Sequence, residues 1–233
     1  MDPLKRKTLL ALLALPAGCT IEPLAPVRTE PLASPVNAPK IRPPALGQSW
    51  TYQKFNTYNS QLLATEHEEV VSVEPGITLR RKTDAGLLLP EEQHSQWGQI
   101  VRDPAWDRVQ NYEEPVPLWP QNLALGSSSS LNTHYRLDNS SVRFWINVYT
   151  AVKAWEKVVL PRGEFNALRL EKWIRIQHFD VARVETVRRD TVWLVPEIGR
   201  WAAREISGQY RYSGQLGPAS HEDSFRWELK SWS

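Results

Sequence analysis

The chain has 233 residues, 41% hydrophobic and 23% charged, with a formal charge of +2. These are the proportions of an ordinary folded domain and exclude a collagen-like, wholly disordered or polytopic membrane chain. Three of the 28 basic residues and one of the 26 acidic ones fall within positions 1–18, leaving 25 of each. A balanced surface with no basic block argues against nucleic acid as a partner, because phosphate binding needs clustered cations.

The first 19 residues have the order of an export signal. Lys5-Arg6-Lys7 is a positive leader, Thr8 to Leu15 is the apolar run TLLALLAL, and Pro16-Ala17-Gly18-Cys19 brings small residues up to a cysteine. The apolar run is far short of the roughly 20 residues that span a bilayer. Cys19 is the only cysteine, so no disulfide can form within the chain, and a bare thiol is a liability in an oxidising compartment. The stretch Leu15-Pro16-Ala17-Gly18-Cys19 resembles the lipobox of bacterial lipoproteins, with Pro16 standing where that motif carries leucine. The resemblance implies a lipoprotein signal peptide over 1–18 and a mature chain beginning at Cys19. Cys19 would then carry a thioether diacylglycerol and an N-acyl chain of the palmitate type. Several acyl chains, at about 0.8 kcal/mol per buried methylene, make a stable membrane anchor. Thr20, not Asp, follows the cysteine, which implies the outer membrane, facing the periplasm. An ordinary signal peptide cut nearby, or an uncleaved anchor, are the alternatives.

Residues 19–45 form the lipidated N-terminus and a proline-rich tether. Prolines at 23, 26, 31, 35, 39, 43 and 44 forbid helix and remove strand donors. A disordered, extended spacer is expected, reaching roughly 80 Å at about 3.1 Å per residue.

From 46 to 233 the pattern is period-2 alternation punctuated by turn residues, predicting an all-β domain of antiparallel strands. Strands are expected at Ser49 to Lys54 and, around a Pro75-Gly76 turn, at Glu69 to Glu74 and Ile77 to Lys82. Further strands fall at Val142 to Tyr149, Glu164 to His178, Arg183 to Val195, Trp201 to Tyr212 and Ser224 to Trp232. Between Asp84 and Gln96 a short helical turn is possible. Asp103 to Ser130, with Pro115, Pro117, Pro120 and Ser127 to Ser130, reads as a long irregular insertion and the first place to look for a site.

In the C-terminal half, Leu160-Pro161-Arg162-Gly163-Glu164-Phe165-Asn166-Ala167-Leu168-Arg169-Leu170-Glu171 is followed by Thr191-Val192-Trp193-Leu194-Val195-Pro196-Glu197-Ile198-Gly199-Arg200. This pair of segments resembles a pattern in uncharacterised proteobacterial envelope proteins, in which two such strands belong to a β half-barrel. The resemblance implies a half-barrel related in shape to envelope lipid-carrier domains, with Gly163 and Gly199 in turns and Phe165 and Trp193 in the sheet core. It implies no catalytic residues.

No P-loop, dinucleotide fingerprint, nucleophile elbow or H-E-x-x-H occurs, and no metal or cofactor is expected. Histidines 67, 94, 134, 178 and 221 are scattered, though Glu91-Glu92-Gln93-His94 and His221-Glu222-Asp223 bring a histidine beside carboxylates. The chain also holds 11 tryptophans. Tryptophan favours strands and buries much surface at low entropy cost. Trp50, Trp145, Trp173, Trp193, Trp201 and Trp227 are the ligand-binding candidates, if they share one concave face. The bland alternative is that they, with Trp155, fill a core. Arg169, Glu171, Arg175, Glu185 and Arg189 read as cross-strand ion pairs on a solvated face. The expectation is a membrane-anchored, non-enzymatic envelope lipoprotein binding a lipid, a hydrophobic peptide or an envelope protein partner. The alternatives are a structural subunit of an envelope complex, and an envelope hydrolase using His94, His134 or His221.

Overall fold

The computed structural model describes residues 22–233, so the signal-peptide and Cys19 expectations lie outside the described residues. Fourteen strands form one antiparallel sheet: β1 (Arg28–Pro31), β2 (Ser49–Asn56), β3 (Leu62–Ser72), β4 (Ile77–Thr83), β5 (Leu88–Gln96), β6 (Gln99–Asp103), β7 (Gln110–Pro117), β8 (Ser128–Leu137), β9 (Phe144–Leu160), β10 (Gly163–Ile176), β11 (Arg183–Val195), β12 (Arg200–Tyr212), β13 (Ser220–His221) and β14 (Phe225–Trp232). The all-β antiparallel architecture is the one the alternation predicts, and the curved sheet is the one the resemblance implies. Its curvature runs to closure: β8 pairs with β9, turning twelve strands into a barrel, with β1 and β13 as appendages on β9 and β12.

Strands β9 to β12 follow the sequence pattern closely. On β10, Leu168, Leu170, Ile174 and Ile176 are buried while Glu171, Trp173 and Arg175 face outward. Register shifts at Arg169/Leu170, Val184/Val187 and Trp193/Leu194 mark bulges, which bend strands and let a sheet curl.

Two local expectations are corrected. Asp84 to Gln96 holds no helical turn; its greater part is β5, pairing with β4 and β6. The buried positions of that strand are Glu92 and His94, so its inward face is polar and hides the alternation. The Asp103 to Ser130 stretch is likewise no irregular insertion. It contains β7, the first residues of β8, and the buried Leu118 and Leu123. Pairing between β7 and β8 stops at Tyr112, before Pro115 and Pro117, whose missing N–H would break a continuing ladder.

The proline-rich segment is corrected too: over its described residues it lies on the barrel. Thr57 accepts from the Leu24 N–H, Arg226 donates to the Ala25 carbonyl, β1 pairs with the second half of β9, and the Arg42 N–H donates to the Pro196 carbonyl. Val27 and Ile41 pack against the core. The physical reason is an edge: β8 covers only Phe144 to Ala151 of β9, and the remaining donors and acceptors need a partner. Gly199 belongs to the same arrangement. It has φ +71°, and a Cβ there would sit 2.6 Å from the Arg42 carbonyl oxygen.

Strands alternate in direction around the ring, so the connections sort onto two ends. Turns 57–61, 84–87, 104–109, 138–143, 177–182 and 213–224 lie at the upper end. Turns 73–76, 97–98, 118–127, 161–162 and 196–199 lie at the lower end, with the C-terminus.

Candidate functional site

The barrel interior holds ionic networks as well as aliphatic side chains. Arg200 on β12 donates across to Glu68 on β3 (2.9 Å) and Glu92 on β5 (2.8 Å), and His94 bonds Glu92 at 2.7 Å. Arg81 and the Trp227 indole both donate to Glu66. Arg200 lies over the Trp201 ring at 3.7 Å. A second network joins Arg188 and Arg204, both 2.7 Å from Asp190, with Arg188 also donating to the Ala105 carbonyl. Burial raises the Glu92 carboxyl, but Arg200 and His94 outweigh it and hold it well below the carboxylate range. Burial likewise opposes Asp190, yet Arg188 and Arg204 keep it strongly depressed. Lys172, paired in register with Asp190 and buried, is pushed by desolvation from 10.5 to about 8. These networks bind strands together and leave little room for a ligand.

The six candidate tryptophans therefore separate. Trp50, Trp201 and Trp227 are inside with the Arg200 network, the Trp50 indole donating to the Ile198 carbonyl. Trp193 is buried on the opposite face of β11, its indole donating to Glu156 at 2.9 Å. Trp155 is partly buried against the core. Only Trp145 (45% exposed) and Trp173 (43%) face solvent.

Those two stand on one outer surface, whose composition follows from register. One row runs Tyr149, Trp173, Arg189, Ser207; the next runs Asn147, Arg175, Val187, Gln209. Arg189 stacks over Trp173 at 4.7 Å. Beside the second row opens a groove of about 700 Å³ whose lining includes Trp145, Arg175, Glu185, Val187, Gln209 and Arg211. The β11 bulge shapes it: Glu185 has φ +53°, a sterically costly conformation for a side-chain-bearing residue. Thr186 beside it is buried with its hydroxyl unpartnered. An apolar wall beside the Arg175 guanidinium, with Arg211 already 3.3 Å from Glu185, suits an amphiphile that carries an anionic group. Tryptophan content alone signalled this site weakly; Arg175 was legible only as part of a charged strand face, and Arg211 carried no signal until register placed it beside Trp145.

The histidines do not converge. His94 is buried in the Arg200 network, His134 lies on outer β8 near Glu113 and Arg143, and exposed His221 is on β13. His178 and Glu222 share a cleft of about 40 Å³ with Trp106 and Arg188, about enough for a water molecule. His67, which the sequence placed with no partner, joins Thr51 (3.0 Å) to Asp84 (2.5 Å). This hydroxyl–imidazole–carboxylate chain crosses the open outer face of β2 and β3, where Asp84 is exposed. Among the described residues no group of three or more His, Cys, Asp or Glu could hold a metal ion, and no helix is long and apolar enough to cross a membrane.

No protein-family model and no curated protein matches the chain. Two solved structures share its fold at a TM-score of 0.51. One is described as a "putative lipoprotein" from Parabacteroides distasonis ATCC 8503, at 10% identity, covering 84% of this chain and 100% of the other. The second is a "putative exported protein with YmcC-like fold" from Bacteroides fragilis NCTC 9343, at 13% identity, covering 84% and 99%. At these identities the likeness is one of fold.

Proposed function

We propose that this chain is an envelope lipoprotein, anchored through an acylated Cys19, whose barrel binds an anionic amphipathic molecule along the Trp145–Arg175–Arg211 groove without transforming it. The observation that carries the binding reading is the pairing of an apolar wall, exposed Trp145 and half-buried Val187, with the Arg175 and Arg211 guanidinium groups in one outer groove. The envelope address is supported by the leader and lipobox resemblance, and by fold neighbours described as a lipoprotein and an exported protein. Thr20 favours the outer membrane, with the barrel facing the periplasm.

Native mass spectrometry of protein extracted from its own envelope tests the reading. A co-purifying anionic lipid or acylated molecule is expected on the wild type and lost from Trp145→Ala and Arg175→Glu. Both side chains face outward, so the variants keep the fold. A co-purifying protein in place of a lipid would favour the assembly-subunit alternative, for which the exposed Tyr149–Trp173 face is the matching feature. A wild type that never carries a ligand would overturn the binding reading.

A further inference from the structure

We propose that the upper end of the barrel rests on the membrane that holds Cys19, its loop tips inserted among the lipids. The inference builds on the acylation reading above.

Two independent observations meet at that end. The first is where the described chain begins. The Glu22 carbonyl accepts from Ser60 at 2.8 Å, and Leu24 is bonded to Thr57; both partners lie in the upper turn between β2 and β3. Cys19 is three residues before Glu22, a reach of roughly 10 Å even fully extended. The lower end is a strand length away: β10 alone has 14 residues, about 45 Å along its axis. Proline content suggested a long spacer; the docked segment leaves a short leash fixed to one end.

The second observation is which side chains that end displays. Leu87 in the β4–β5 connection with Leu88 at the start of β5, Val142 before β9, Val181 before β11 and Leu216 after β12 are all more than half exposed, Leu216 almost fully at 98%. They belong to four separate loops, so local folding does not explain their shared position. The lower end shows fewer that are more than half exposed: Leu46 before β2 and Leu125 in a turn, with Val36 fully exposed in the docked segment; Val73 in a turn and Trp232 at the end of β14 fall below half. Several acidic groups of the upper rim are already paired: Asp84 with His67, Asp138 with Arg102 and Asp180 with Arg183. Such pairing lowers the cost of bringing charge near lipid.

Insertion by the loop tips also fits what the barrel wall forbids. A barrel that spans a bilayer needs an apolar outer band. Here the outward positions in mid-strand mix Trp173 with the charged Glu171 and Arg175 on β10 and Arg189 on β11, so no continuous apolar band forms. This wall belongs in water, and only the rim is suited to the interface.

The test uses the full acylated chain in vesicles of phosphatidylethanolamine and phosphatidylglycerol. Acylation blocks Cys19, so a nitroxide can be placed singly on Leu87→Cys or Leu216→Cys above and Val73→Cys or Leu125→Cys below. Upper labels should lose accessibility to an aqueous nickel reagent and gain it to oxygen; lower labels should stay fully water-accessible. Equal nickel accessibility at both ends, or immersion of the lower labels, overturns the inference. So would shielding of the upper labels in native envelopes but not in vesicles, since a protein would then be the cover. Mass measurement of the N-terminal peptide reads acylation separately. An unacylated Cys19 fails the anchor reading and takes this inference with it, whereas an acylated chain whose rim stays accessible to water fails the inference alone.

Discussion

Buried charge is the distinctive chemistry at the scale of single residues. Arg200 is fully enclosed and bridges Glu68 and Glu92. Arg200→Met is expected to cost about 3–5 kcal/mol, because two carboxylates would remain buried without their cation. Urea unfolding at pH 7 measures the loss, and adding Glu92→Met should restore part of it. Lys172 gives an opposite, pH-dependent signature. Its folded pKa is lowered from 10.5 to about 8, so between those values the unfolded chain binds the extra proton. Stability should therefore rise with pH across that window, by up to about 3 kcal/mol. Tyr52 and Tyr112, both held well above their usual pKa by burial, act in the opposite sense once pH passes about 10. Urea midpoints at pH 7.5 and 9.5 should show the rise in the wild type and a smaller one in Lys172→Met, where Lys54, also lowered by burial, remains. None of these partners was legible beforehand, since Arg200 meets Glu68 across 132 positions of sequence.

Among the elements, strands with an apolar inward face were legible and strands with a polar one were not. Arg183–Val195 appears with the bounds its alternation predicts, and Arg200–Tyr212 differs by one residue. Strand β5 was missed because Glu92 and His94 occupy positions where the pattern calls for hydrophobic residues. The proline-rich segment was read correctly as non-helical and extended, but its docking depends on an edge of β9 that exists only once β8 has covered the other half. Gly199 locks that docking to the β11–β12 turn. Gly199→Ala forces a methyl group against Arg42 and strains a left-handed backbone, and should cost about 1–2 kcal/mol. Thermal denaturation would register the loss. Proteolysis should cut more readily within residues 32–42 if the segment is released.

Considered whole, the molecule is a closed antiparallel ring with its side chains distributed to three places. Ionic networks and tryptophans fill the inside, an aromatic and arginine-lined surface covers β9 to β12, and apolar loop tips crown the upper end. Closure lets the surface and the rim coexist, because a wall whose strands are paired round the ring can stay hydrated while one end meets a membrane. The candidate groove depends on the same closure and on the β11 bulge, which sets Glu185, Thr186 and Arg211 beside Trp145. Trp145 and Trp173 were singled out among the aromatic residues of the sequence; which of the six named tryptophans would face solvent was not.

By itself the sequence determined the leader-like N-terminus, the all-β class and the positions of the long strands, because hydrophobic order and alternation are local properties read within a few residues. The tertiary structure decided the ring's closure, the pairing of buried charges, the docking of the proline-rich segment and the gathering of loop tips at one end. Each of these depends on contacts between residues far apart in the chain, and a linear pattern carries no record of which distant partner satisfies a buried charge or an open strand edge.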